Sequence, residues 1–261
     1  VLEVGPGTGT LTEVLLERGA RVVACEIDRD MLAIIGERVL PRADGRLTLV
    51  EGDCLKGKRR LAPAVVDALA TAARADAPAA NSPRFALVAN LPYGAATPLI
   101  ATLLANHPEC TGLFATIQRE VADRLMATPR SDAYGALSVT TQLLARVERV
   151  MDVAPGCFWP EPEVTSAIVG IDPRRGEQRP ASIGTSAEAA AFASFVTGVF
   201  SKRRKQIGTI LGRGAQLPPG VEATQRPEEL APETWLARWQ RQAPPAAAAT
   251  DPACDRFQNP A

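Results

Sequence analysis

Continuous apolar runs alternate with helical periodicities through residues 1–171. Val1-Leu2-Glu3-Val4 reads as a buried strand running into the turn Gly5-Pro6-Gly7-Thr8-Gly9. Leu11, Val14 and Leu15 then recur at helical spacing as far as Gly19, a C-terminal cap. Residues 21–27 form a second strand, followed by a helix carrying Met31, Ile34, Ile35 and Val39 that ends before Pro41. A third strand over 47–50 ends at Glu51-Gly52-Asp53, a fourth over 85–89 stops at Asn90-Leu91-Pro92-Tyr93, and a fifth covers 113–117. Helices are predicted over 97–106, 120–127 and 136–145, and two last strands over 146–153 and 164–171. Strands written as unbroken apolar runs and separated by helices imply a parallel sheet covered on both faces. The predicted fold class is α/β, a Rossmann-like domain with a seven-stranded, mostly parallel sheet.

Beyond Arg174 the pattern becomes helical only, over 187–211 and in shorter pieces at 227–230 and 233–240. The predicted organisation is a sheet domain over 1–174, a small all-helical domain over 175–242 and a disordered tail over 243–261, whose Pro- and Ala-rich composition has too little apolar patterning to bury. Residues 56–83 open with Lys56, Lys58, Arg59 and Arg60, continue as an Ala-rich helix and read as an insertion between sheet elements. A strand that starts at the first residue, Val1, predicts that further sequence precedes it.

Composition narrows the chemistry. The chain has 261 residues, with 29 basic and 29 acidic side chains and zero net charge. Its one histidine, His107, rules out a multi-histidine metal site and leaves little room for a Ser-His-Asp triad, so no metal is expected. His107 itself, before Pro108 in a helix-to-strand loop, reads as structural. The five cysteines are scattered and never spaced C-x-x-C, which signals neither a zinc ribbon nor a disulfide framework and fits a reducing cytoplasm. The uncharged stretch 85–108 has membrane length, but Asn90, Pro92, Gly94 and Pro98 interrupt it where a spanning helix needs an unbroken ladder. No membrane partner is expected.

The Gly5-x-Gly7-x-Gly9 turn after a strand lets a ligand approach the backbone and presents a helix N-terminus. Glu26, 17 residues past Gly9 at the end of the second strand, is placed to take both hydroxyls of a ribose. Asp53, at the tip of the third strand, can accept from an adenine amine while the backbone N–H of Cys54 donates to the ring. NAD would want a third glycine opening the helix in G-x-G-x-x-G register, and Leu11 lies in the region where close approach is needed, so S-adenosylmethionine is favoured. Asn90-Leu91-Pro92-Tyr93 falls at the edge where open parallel sheets bind ligands. The exocyclic amine of adenine is a poor nucleophile because its lone pair is delocalised into the ring. The Asn90 side-chain oxygen and the Leu91 carbonyl can accept from it and draw it toward tetrahedral geometry, Pro92 fixes the backbone, and Tyr93 offers a flat face to an unstacked base. Phe158, Trp159 and the prolines after them suit either the rim of a base pocket or the core.

These motifs, joined by Thr97-Pro98-Leu99, Gln118-Arg119-Glu120-Val121, Tyr134-Gly135-x-Leu137-Ser138-Val139, Phe158-x-Pro160-x-Pro162-x-Val164-x-Ser166-Ala167 and Phe200-x-x-Arg203-Arg204-Lys205, occur in order over residues 1–212. Together they resemble the small-subunit rRNA adenine dimethyltransferase family. The resemblance implies a methyltransferase domain with a small helical domain behind it. It also implies transfer of two methyls to each of two adjacent adenosines in a hairpin near the 3′ end of 16S rRNA. By position it implies that Gly5, Gly7, Glu26, Asp53, Cys54 and Asn90 contact S-adenosylmethionine and that Asn90, Leu91, Pro92 and Tyr93 form the target-base site. Members of that family carry a Gln-Asn-Phe-Leu segment ahead of the first strand that helps cover the cofactor.

Zero net charge gives no global field for RNA, so affinity must come from local patches. Lys202, Arg203, Arg204 and Lys205, near Arg213 and read as one face of a basic helix, are the strongest candidates for phosphate contacts. The expected partner is 16S rRNA in the immature small subunit, met by a monomer. A 23S rRNA methyltransferase of the antibiotic-resistance type and a non-catalytic assembly factor are the alternatives.

Overall fold

A computed structural model describes residues 1–57, 60–76, 84–212 and 215–242. The elements are β1 (Leu2–Val4), α1 (Thr10–Glu17), β2 (Val22–Glu26), α2 (Arg29–Arg38), β3 (Leu47–Glu51), α3 (Pro63–Asp76), β4 (Phe85–Asn90), α4 (Tyr93–Asn106), β5 (Cys110–Gln118), α5 (Arg119–Met126), α6 (Ala136–Leu144), β6 (Ala145–Val153), β7 (Ser166–Pro173), α7 (Ser186–Phe200), α8 (Ile207–Leu211) and α9 (Pro232–Gln242). The strands form one seven-stranded sheet in the order β3-β2-β1-β4-β5-β7-β6. β1 to β5 pair in parallel, and β7 runs antiparallel between β5 and β6.

The apolar runs are continuous because both sheet faces are covered. All five residues of β2 are buried: Val22 and Ala24 pack with Leu16, Ile35 and Val39 of the α1–α2 layer, while Val23 and Cys25 belong to the larger core on the opposite face. Local signals set the helix ends. Asp28 caps α2 by accepting from the Asp30 and Met31 N–H groups, and Gly19, at φ +83°, closes α1 as Ala20 N–H bonds back to Leu15 O at 3.0 Å.

Two predicted elements differ. The expected insertion supplies α3, whose buried Val65 and Leu69 join the core under β2 and β3, so this helix is the crossover between β3 and β4. Residues 77–83 and the cationic Lys58 and Arg59 lie outside the described residues, as does the tail at 243–261. The helix predicted over 187–211 divides: apolar periodicity ends at Phe200, and residues 201–205 form tight turns in which Lys202 N–H reaches Val199 O and Lys205 N–H reaches Lys202 O. The later helices dock on α4 and α6 through Phe192, Val196, Phe200 and Trp235, which belong to the same buried cluster as the sheet. Tyr134 ties them down, its buried hydroxyl donating to Leu230 O at 2.8 Å. Among the described residues no helix is long and apolar enough to cross a membrane.

Candidate active site

Strand order reverses at β1, whose neighbours β2 and β4 lead away to opposite edges of the sheet. The crevice beyond the carboxyl ends of β1 and β4 is where such a sheet takes its ligands. The glycine turn leaves β1 there, and Asn90-Leu91-Pro92-Tyr93 leaves β4. The two motifs touch: a methyl group at Gly5 would lie 2.8 Å from Pro92 Cγ and 3.0 Å from Cδ. Gly5 and Gly7, at φ +68° and +58°, hold left-handed conformations that glycine adopts without steric cost. Around Gly7 the space is open, with no atom within 4 Å of where a Cβ would stand.

Glu26 is nearly buried, and backbone donors surround its carboxylate. Oε2 accepts from Gly7 N–H at 3.1 Å, and Oε1 accepts from Ile27 and Asp28 N–H at 2.9 and 3.1 Å. A carboxylate has about four acceptor positions, so with one backbone donor on Oε2 and two on Oε1 the carboxylate keeps its free acceptor position at Oε2. Glu26 thus also holds the glycine turn against β2. Asp53 stands exposed at the tip of β3, with Oδ1 accepting from Leu55 N–H at 2.8 Å. Beside it the thiols of Cys54 and Cys25 are buried; Cys25 Sγ donates to Gly52 O at 3.3 Å, and its contact with the Cys54 thiol together with burial holds that thiol well above its ordinary range. These are inert packing thiols, and Cys54 offers a ligand only its backbone. The open side of Gly7, the remaining lone pair on Glu26 and the exposed Asp53 fit a nucleoside-type cofactor.

At the end of β4 the register places Asn90 opposite Thr116 of β5. Thr116 holds both residues of the predicted acceptor pair: its hydroxyl donates to Asn90 Oδ1 at 2.6 Å, and its carbonyl accepts from Leu91 N–H at 3.1 Å. One lone pair of Asn90 Oδ1 is therefore already used, and the second is left for a ligand. Pro92 caps α4 with φ −55°, so this helix starts at Tyr93, four residues before the predicted Thr97. The Tyr93 hydroxyl lies 3.1 Å from Ser166 Oγ, which is fully buried. Asn90 to Tyr93, Thr116 and Ser166 join Phe158, Trp159, Pro160 and Pro162 around an open hollow of about 280 Å³. Phe158 and Trp159 thus belong to the rim of this hollow and not to the core. Asn90, Thr116 and Ser166 come from the ends of β4, β5 and β7, and Phe158, Trp159, Pro160 and Pro162 from the loop between β6 and β7, so the lining pairs hydrogen-bonding groups with flat apolar ones, as a heterocycle bearing an amine requires.

Sequence reasoning did not single out Thr116, and it quoted Ser166 within a motif without placing it in the site. A polar residue in an apolar strand was the available signal for Thr116. Ser166 comes near Tyr93 only because β7 runs antiparallel to β5. A third omission is Glu3, an acid inside the first apolar run. It is buried, Thr12 Oγ1 donates to its Oε2 at 2.7 Å, and burial pushes its carboxyl up to about 7 against the pull of that hydrogen bond. His107 stands away from the site, its Nδ1 2.7 Å from Glu109 Oε1 and its ring edge-on to Phe85.

The basic run lies in the turns after α7. Lys202, Arg204 and Lys205 are exposed, while Arg203 is half-buried with Nη1 3.5 Å from Asp132 O in the loop between α5 and α6. The expected helical face is therefore a turn that presents three free-standing cations, with Arg203 anchored. Arg213 lies outside the described residues.

The family profile described as "Ribosomal RNA adenine dimethylase" matches residues 1–236. A "Ribosomal RNA small subunit methyltransferase A" from Synechococcus sp. (strain JA-3-3Ab) is 37% identical over 249 residues, covering 91% of this chain and 79% of that protein. Among solved structures, a dimethyladenosine transferase from Plasmodium falciparum aligns with TM-score 0.63 at 22% identity, covering 92% of this chain and 88% of that one. The 23S rRNA methyltransferase ErmE aligns with TM-score 0.59 at 25% identity, covering 92% and 89%.

Proposed function

The chain belongs to the ribosomal RNA adenine dimethylase family, and from that premise we propose that the hollow beside Asn90 receives the adenine whose N6 amine is methylated. The enzyme is an S-adenosylmethionine-dependent rRNA adenine dimethyltransferase, and its substrate is small-subunit rRNA, the activity its curated relatives are named for. The observation that carries the reading is the Thr116 clamp, which fixes Asn90 and Leu91 side by side at the carboxyl edge of β4.

S-adenosylmethionine, when bound, supplies a methyl group made electrophilic by its sulfonium. Gly5, Gly7, Glu26, Asp53 and the Cys54 backbone hold it; Asn90 borders both sites. The free lone pair of Asn90 Oδ1 and the Leu91 carbonyl would accept from the N–H bonds of the target amine, two in the first transfer and one in the second, and so turn its nitrogen lone pair out of conjugation; as the amine takes the methyl the cofactor leaves as a neutral thioether, and the proton the amine sheds passes to solvent. Tyr93, fixed through Ser166, packs against the face of the base. Rate enhancement comes from positioning and from prearranged dipoles, without a strong base. The exposed cations of the Lys202–Lys205 turn contact phosphates of the RNA. In the finer reading the two target adenosines are adjacent in the 3′-terminal hairpin of 16S rRNA, presented by an immature small subunit in the cytoplasm to a monomeric enzyme.

Labelled methyl transfer into small- and large-subunit RNA tests this. Incorporation is expected in small-subunit RNA only, and Asn90→Ala is expected to lower kcat by about 10²–10³-fold, the usual effect of losing one prearranged dipole. Thr116→Val, which keeps Asn90 but frees it to rotate, should lose less. In Thr116→Val cofactor affinity, read by calorimetry, should change by less than about threefold, whereas Asn90→Ala, which borders both sites, should weaken cofactor binding as well as lower kcat. Full activity in Asn90→Ala, or incorporation into large-subunit RNA, would refute the reading.

A further inference from the structure

Trp159 is 97% exposed, whereas Trp235 is buried and Trp239 packs against Phe192 and Phe195. A large indole left in water gives up most of the burial energy that keeps aromatic residues inside, so the fold does not account for its position. It stands on the loop between β6 and β7, and Phe158, Pro160 and Pro162 of the same loop also line the hollow. The loop is braced from within: Cys157 N–H bonds to Ala154 O at 3.1 Å and Phe158 N–H to Pro155 O at 3.0 Å. The hollow, about 280 Å³, is small for a ligand site, and Trp159 stands at its rim with its indole almost wholly in solvent.

We propose that Trp159 is a stacking subsite for the base adjoining the target adenosine, so that the enzyme grips a dinucleotide, with one purine in the hollow and its neighbour on the indole. This rests on the reading of the hollow as an adenine site. Every base has a π-face, and an exposed indole on a braced loop at the rim of the hollow provides a platform at little ordering cost. Trp159 is a positioning residue. It makes no contact with the reacting nitrogen but fixes the backbone step that swings the target base inward.

The test uses the full chain and an RNA hairpin carrying two adjacent adenosines, labelled for anisotropy, with Trp emission followed in the same titration. Binding is expected to quench the solvent-accessible part of the emission in the wild type. Trp159→Ala should lose that quenching and bind about tenfold more weakly, within the range of a single base–aromatic stack, while Trp159→Phe should retain most of the affinity. A hairpin whose adenosine next to the target is abasic should bind the wild type about tenfold more weakly and Trp159→Ala no more weakly than the intact hairpin. Equal thermal melting of the three proteins shows that the variants fold. If the hairpin is bound and methylated while emission and Trp159→Ala affinity stay unchanged, the stacking subsite is overturned and the adenine site stands. If no adenosine RNA is bound or methylated, both fall. A concentration-dependent dimer in sedimentation, abolished by Trp159→Ala, assigns the indole to a second copy of the chain and overturns the proposal.

Discussion

Glu3 allows the construction of the site to be tested without its substrate. Its carboxyl titrates near 7 in the folded protein against an ordinary 4.5, because β1 carries it inside the sheet with only Thr12 as a partner. Between those pH values the folded chain keeps a proton that the unfolded chain has released, so unfolding gives up the proton and rising pH favours it. The stability associated with this group is full below pH 4.5, declines by about 1.4 kcal/mol per pH unit up to pH 7, and is level above. Integrated from pH 5 to pH 8, the loss is about 2–3 kcal/mol, or roughly 5 °C in melting temperature for a chain of this size. Glu3→Gln cannot titrate, and groups common to both proteins cancel in the comparison. The difference in unfolding free energy between variant and wild type should therefore move by about 2–3 kcal/mol in the variant's favour from pH 5 to pH 8. Denaturant titrations at half-unit intervals measure it. Thr12→Val removes the hydroxyl that lowers the carboxyl's pKa, so the upper end of the window should move above pH 7. Parallel pH profiles for wild type and Glu3→Gln would refute the argument.

Two further predictions concern the glycine turn and the basic turn. Gly5→Ala, whose methyl would lie 2.8 Å from Pro92 Cγ, should displace the Asn90–Tyr93 segment and abolish methyl transfer, whereas Gly7→Ala meets open space and should cost only the roughly 1–2 kcal/mol of a left-handed alanine while weakening S-adenosylmethionine binding measured by calorimetry. Replacing Lys202, Arg204 and Lys205 together by alanine should lower the slope of log affinity against log salt by about 2–3 in hairpin-binding titrations. Arg203→Ala, in contrast, should act mainly on stability, because its guanidinium lies near Asp132 O.

The sheet and the two motifs were readable because each is written locally. Unbroken apolar runs meant strands covered twice, and β2 shows why, with alternate residues feeding separate cores. The ends of strands are where glycine, asparagine and proline replace apolar residues, so Gly5 and Asn90 could be placed at one edge before any contact was known. What was hidden depends on register. Nothing in the run Leu113-Phe114-Ala115-Thr116-Ile117 tells that Thr116 stands opposite Asn90, and Ser166 gains its place beside Tyr93 from an antiparallel strand that sequence order does not announce. The helix over 187–211 was overextended because Lys202 to Lys205 have helical propensity. Apolar burial is interrupted between Phe200 and Ile207, and four adjacent cations offer no face to pack.

Residues far apart in sequence become one site here because a few short contacts over-determine the backbone. Gly5 abuts Pro92 because it lacks a side chain. Glu26 fastens Gly7 to the end of β2 through one oxygen and its own following turn through the other. Thr116 then fixes the peptide before Leu91 with its carbonyl and the Asn90 side chain with its hydroxyl. Pro92 restricts the next φ, so the Leu91 carbonyl sits between two constrained residues. An amine with a delocalised lone pair needs acceptors whose directions are set before it arrives, since acceptors that must reorient at the moment of reaction lose most of their advantage. The dipoles at this sheet edge are held by neighbours whose hydrogen-bonding groups are already committed. That is why Thr116, which need never touch the methyl group, should matter to its transfer.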